Sequence, residues 1–317
     1  MSNAEKWRDG TDRIVFVGGC PRSGTTLVQN LLDSHPGIFG GPEFDLIPDI
    51  VALREGLQRS VAAGRIAAFC DAARVDEVIA QLISSLLLPL ADRASCQLLS
   101  EKTPSNALVA RSLLDCLPGS RFIFVVRDPR AVIASMFAVG RRAATKAVAA
   151  PPYTRSLRHA IAAVRRYLDA GYDALAAHPD RTLLVVYENL VRRPVTATER
   201  LCAFLGVDWS ESMVRPSQQD HLGRVGVDGI WYHASMYRRD PDPSSVLRWQ
   251  RELDRSTRTA IEMAFDTDER LRALGYDFAS TNVAPASRTY DRMRVTGFAL
   301  RRAVGPPLRS ALRRLGS

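Results

Sequence analysis

Residues 17–29, VGGCPRSGTTLVQ, place Gly19 and Gly24 on either side of four residues, with Thr25 and Thr26 directly after. A strand, a glycine turn and a helix N-terminus would present backbone N–H groups and the positive end of the helix dipole to an anion. Gly24 allows close approach of a phosphate, and Ser23, Thr25 and Thr26 add hydroxyl donors. The spacing nearly completes the nucleoside-triphosphate loop G-x-x-x-x-G-K-[ST], but Thr25 stands where the lysine belongs. The cation has moved: Arg22 lies inside the loop. No acidic magnesium partner is evident either, so the loop favours a 5′-phosphate-type group held without metal.

Five stretches must position this chemistry. RIVFVGG (13–19) has the short β-branched, glycine-ended pattern of a buried strand, and TTLVQNLLDSHP that of the helix after it, with His35 in a structural place at its end. CQLLSEK (96–102), RFIFVVRD (121–128) and RTLLVVYE (181–188) predict three further strands. Asp128 is a predicted N-cap with Pro129 at the first helical position, and TATERLCAFLGV a helix ending near Gly206. Alternating strands and helices imply a parallel α/β sheet, which binds ligands at the carboxyl ends of its strands. Helical patterns at about 50–90 and 155–178 are expected to cap those ends, and the polar, aromatic loop 217–245 to serve as a functional loop.

The stretch PRSGTT resembles the phosphosulfate-binding loop of sulfotransferases that use 3′-phosphoadenosine 5′-phosphosulfate (PAPS), whose pattern is P-[KR]-x-G-T-[TS]. A second match comes from FVVRDPRAVIASM, where Arg127 at a strand end and Ser135 eight residues on occupy the family's 3′-phosphate positions. An arginine fork and a hydroxyl so placed can bracket one phosphate, and ATP has no 3′-phosphate. The resemblance spans about residues 13–275 and implies a P-loop-like fold, PAPS as donor, PAP as product and no metal. It further implies cofactor contacts from Arg22, Ser23, Gly24, Thr25, Thr26, Tyr187, Ser235 and Arg248, with Lys102 directed at the transferred sulfonate. Taken without the resemblance, RDPR is a helix cap and Tyr187 an ordinary strand-end tyrosine.

Sulfonate transfer also needs a base to take up the acceptor proton. The run from PRSGTT through DSHP to GPE is similar in spacing to protein-tyrosine sulfotransferases, which implies Glu43 as general base beside Arg22 and Lys102. His233 is the rival base. Two departures count against an acidic peptide acceptor: Asp45 stands where those enzymes carry arginine, and Val139 replaces a cofactor-binding arginine. The expected acceptor is a hydroxyl on a small molecule, sugar, lipid or tyrosine-like group. Two rivals remain: a P-loop kinase or other nucleotide-binding enzyme, and a scaffold that binds adenosine phosphates without turnover.

A chain of 317 residues, 46% hydrophobic, can bury a large core in one or two domains. No stretch approaches the ~18 unbroken apolar residues of a membrane span, and the polar start MSNAEKWRDGTD is no signal peptide. Five cysteines without C-x-x-C spacing argue against a disulfide framework or zinc site and for a reduced, cytoplasmic setting. Of the net charge of +9, most belongs to residues 281–317, which hold eight arginines and one aspartate. The predicted catalytic domain, 1–280, is thus nearly neutral and no nucleic-acid binder. In the tail, Leu308, Leu312 and Leu315 alternate with Arg309, Arg313 and Arg314, a pattern suited to weak contact with an anionic membrane surface or to a solvated tail.

Overall fold

The structure, a computed structural model, describes residues 10–219 and 239–278. The chain forms two compact units, Met1–Trp249 and Gln250–Ser317. His233, Ser235 and the basic tail lie outside the described residues.

The first unit is built on five parallel strands: β1 (Ile14–Gly19), β2 (Ile38–Gly40), β3 (Leu98–Lys102), β4 (Arg121–Val126) and β5 (Thr182–Val186), ordered β2-β3-β1-β4-β5. Every residue of β1 is buried, which explains its unbroken apolar run: a central parallel strand is covered on both faces. Four strands are legible in the sequence and the fifth, β2, is not. It has only three residues and exists through pairing with β3, Ile38 opposite Leu98 and Gly40 opposite Ser100.

On one face of the sheet, Val15, Val17, Ile123 and Val125 pack with Val28, Leu31 and Leu32 of α1 (Thr25–Asp33). Next come α2 (Ile47–Ala62), α3 (Ala72–Arg93), α4 (Ala110–Cys116), α5 (Pro129–Thr145) and α6 (Leu157–Ala177). The expected cap is realised unevenly. Helix α2 starts just beyond the carboxyl end of β2 and is tied to α3 by Arg54, whose Nε and terminal nitrogen donate to Asp76 at 2.6 and 3.0 Å. Helix α6 flanks the sheet: a Cβ on its Gly171 would lie 2.2 Å from the Phe124 ring, so only glycine permits this approach. Tyr172 meets Phe124 edge-on at 5.6 Å.

Asp128 caps α5 by accepting from the Arg130 amide, with Pro129 at the first helical position, as expected. The expected strand 181–188 is corrected at its end. β5 stops at Val186, and Tyr187 opens a short helix, α7 (Tyr187–Arg192), followed by α8 (Pro194–Leu205) and Gly206 in the left-handed region at φ 73°. In the second unit, Asp254 caps α9 (Arg255–Phe265), α10 spans Glu269–Ala273, and Phe265, Phe278 and Tyr276 form a ring cluster.

Candidate active site

The β1–α1 loop is shaped by backbone conformation. Arg22 and Gly24 both have positive φ, 78° and 103°, and the Ser23 amide closes a turn on the Cys20 carbonyl at 2.9 Å. Gly24 is required twice, by its φ and because a Cβ would lie 2.3 Å from the Tyr187 ring. A Cβ on Gly19 would lie 2.4 Å from the Val125 carbonyl oxygen. No side chain caps α1, and the buried Ser23 hydroxyl has no partner among the described residues. A loop that holds helix-end amides beside an unsatisfied buried hydroxyl fits a bound anion, which would complete those bonds.

Of the predicted cofactor residues, Arg22, Ser135, Arg127 and Tyr187 converge around this loop. Arg22 Nε donates to Ser135 Oγ at 3.1 Å, linking the loop to α5. Arg127 lies over the Tyr187 ring at 4.1 Å and donates to the carbonyls of Arg22 (3.4 Å) and Ser245 (3.2 Å). Its Nε is buried without a partner among the described residues, and Tyr187 Oη shares a hydrogen bond with Ser245 Oγ at 2.8 Å. Burial lowers the Arg22 pKa, and so do the positive charges of Arg142, Arg127 and Arg248. Such a cluster of guanidinium groups invites anions. Two residues around the loop, Arg142 and Ser245, escaped the sequence analysis. Arg142 stands one helical turn beyond Val139, a displacement that an i+3 comparison would have suggested. Ser245 sits in a loop without a motif and carried no signal.

On the far side of the loop, Lys102 at the end of β3 donates to Glu43 Oε1 and reaches Thr26 Oγ1 at 3.5 Å. The lysine side chain is 4% exposed and that of Glu43 25%. Burial pushes the Lys102 pKa down, against the opposing pull of Glu43. A carboxylate, a buried ammonium and a loop hydroxyl thus meet at one point, where a carboxylate could take a proton while the cations stabilise negative charge. Thr103, Asn106 and the buried carboxylate of Glu101 surround the Glu43 segment. Glu101 was not anticipated, since a carboxylate inside a central strand has no motif. His35 is structural, its Nε2 2.7 Å from the Asp208 carbonyl oxygen and its Nδ1 accepting from the Gly37 amide.

Known proteins similar to this chain are found by sequence and by fold. A model described as the sulfotransferase family matches residues 14–211. Protein-tyrosine sulfotransferase 1 of Danio rerio is 31% identical over 216 residues, which are 67% of this chain and 58% of that protein. The chain therefore spans less than two thirds of the length of that relative. The sulfotransferase domain of a Synechococcus olefin synthase superposes with a TM-score of 0.56 at 25% identity, covering 83% of this chain and 94% of that one. A mouse sulfotransferase, SULT7A1, complexed with PAP shares the fold alone, at a TM-score of 0.50 and 13% identity over 83% of this chain and 88% of its own. Because the matched segment runs from β1 past α8 and contains the loop, Lys102, Arg127 and Tyr187, the chain belongs to the sulfotransferase family.

Proposed function

We propose that this protein transfers the sulfonate group of PAPS to a hydroxyl-bearing acceptor by in-line displacement, with Glu43 as general base. The observation that carries the reading is the double contact of Lys102, to the Glu43 carboxylate and to the Thr26 hydroxyl of the phosphate loop. It joins a proton acceptor to an anion-binding loop through one buried cation. The names of the Danio rerio relative and the Synechococcus domain support sulfonate transfer.

PAPS supplies an activated sulfonate on a phosphate leaving group. In this reading the amides and hydroxyls of residues 23–26 hold the 5′-phosphate, while Arg127, Ser135 and Tyr187 hold the 3′-phosphate, with Ser235 and Arg248 completing the grip. The orphaned Ser23 hydroxyl and Arg127 Nε are what such anions would satisfy. Glu43 takes the proton of the acceptor hydroxyl, and Arg22 and Lys102 stabilise charge on the sulfonate and the departing oxygen. No metal has a part in the scheme.

The acceptor carries a hydroxyl on a small molecule, sugar, lipid or tyrosine-like group. Asp45, exposed two residues from the base, opposes acidic peptides. No described helix is long and apolar enough to cross a membrane. The five cysteines, none of them in a disulfide, support a reduced, cytoplasmic setting, and the arginine-rich tail an additional weak hold on an anionic membrane surface.

Sulfur-labelled PAPS incubated with pools of phenols, sugars, lipids and tyrosine peptides tests the assignment. Transfer of label to one class, abolished in Glu43→Gln, is expected. Phosphate transfer from ATP in its place would return the kinase reading.

A further inference from the structure

Glu101 is 3% exposed, and burying a carboxylate is costly unless its oxygens are well satisfied. Burial raises its pKa, while its hydrogen bonds act in the opposite direction. Those bonds show what it serves. Oε1 accepts from the Phe44 amide at 3.1 Å and from the Thr103 hydroxyl at 2.7 Å, and Oε2 accepts from Asn106 Nδ2 at 2.6 Å. The Thr103 oxygen in turn accepts from the Asp45 amide at 3.1 Å. Both amides that follow Glu43 are thereby tied, directly or through one relay, to a single carboxylate at the end of β3.

The segment is also held ahead of Glu43. The Gly40 amide donates to Asp33 at 2.8 Å, and Gln29 Nε2 donates to the Gly41 carbonyl at 3.2 Å. Asp45, itself one of the anchored residues, adopts φ 63°, in the left-handed region that aspartate visits more readily than most residues with a side chain. The loop between β2 and α2 is thus fixed on both sides of the residue that faces Lys102.

We propose that Glu101 is a positioning residue, which holds the backbone of residues 43–45 so that the Glu43 carboxylate meets Lys102. The proposal rests on Glu43 as base. It departs from a general stabilising role, because the phosphate grip at Arg22, Ser135, Arg127 and Tyr187 is built on other elements. Loss of Glu101 should therefore separate turnover from cofactor binding.

The test compares Glu101→Met, Glu101→Gln and Glu43→Gln. PAP release from PAPS is followed with p-cresol as acceptor, a phenol that ionises at about pH 10 and so needs a base at neutral pH. PAP binding is followed by calorimetry, and amide hydrogen exchange across residues 41–46. Glu101→Met should lower kcat at least ~10-fold, since misplacement of a reacting group by an ångström is costly. PAP affinity should stay within about twofold, and exchange at Phe44 and Asp45 should rise. Glu101→Gln keeps an oxygen for the Phe44 amide, and the buried Asn106 Oδ1, unpartnered among the described residues, can accept from the new amide once Asn106 turns over. This variant should recover at least about a third of kcat.

Unchanged exchange at Phe44 and Asp45 in Glu101→Met overturns the proposal without any turnover data. Parallel loss of kcat and PAP affinity overturns it as well, in favour of a purely structural role. If Glu101→Met does not fold, Thr103→Val, which removes the relay to Asp45, carries the same readouts. Full activity of Glu43→Gln would instead defeat the base assignment, whatever the exchange arm shows.

Discussion

The two halves of the site are held in place by different means. The phosphate loop, residues 19–26, is set by its own backbone: glycines where no Cβ fits, a positive φ at Gly24 and a helix that starts at once. The base segment, residues 40–46, is set by partners far along the chain, with Phe44 tied to Glu101 and Asp45 to Thr103, 57 and 58 residues away. The loop is therefore shaped locally, whereas the base segment, like the residues Arg127, Ser135 and Tyr187 around the loop, is placed by tertiary contacts. Cofactor grip and acceptor activation still rest on different elements. Perturbations should split along the same line.

The sharpest division is expected from Glu43→Gln, which preserves shape and removes the basic carboxylate. Its kcat should fall at least ~10²-fold, the lower bound for a positioned proton acceptor, with PAP binding unchanged. Loss of PAP binding in this variant would erase the distinction between the halves.

Arg127→Ala strikes the other half. A buried charge-assisted contact is worth on the order of 2 kcal/mol, so PAP should weaken by tens of times while 5′-AMP, without a 3′-phosphate, hardly changes. Equal losses for both nucleotides in calorimetry would remove Arg127 from the 3′-phosphate site.

His233→Gln should cost less than about threefold in kcat, because Glu43 already has a built position beside Lys102. If it loses more than Glu43→Gln, the base is His233. The smallest effect is expected from chelation. PAP should raise the melting temperature equally in magnesium and in EDTA, and a shift that vanishes with EDTA would make the cofactor half metal-dependent.

Legibility in the sequence follows the same division. β1, β3, β4, β5 and the α1 and α5 starts were readable because their signals lie in consecutive residues: β-branched runs, glycines, and Asp128 before Pro129. The convergence of Arg22, Arg127, Ser135, Tyr187, Lys102 and Glu43 was foreseen from resemblance and is seen in the geometry, although Ser135 meets Arg22 rather than Arg127. β2 was missed because three residues carry no period, and its existence depends on β3. The end of β5 was misjudged because Tyr187 favours strands by propensity, whereas contact with Gly24 and Arg127 holds it in the first turn of a helix. Glu101 and Arg142 act through neighbours that only folding supplies.

The packing of Gly24 against the Tyr187 ring, with Arg127 stacked on that ring, couples the start of α1 and the ends of β4 and β5 into one steric unit. Positions 24, 127 and 187 cannot drift independently. A side chain at 24 would meet both the Tyr187 ring and a φ of 103°, and a smaller group at 187 would relieve only the first while stripping Arg127 of its aromatic support. An engineer seeking to retune this protein for another nucleotide donor would have to keep Gly24 and recut 127 and 187 together. Libraries that vary position 24 should return dead variants whether or not 187 is varied with it, and the survivors should keep glycine there.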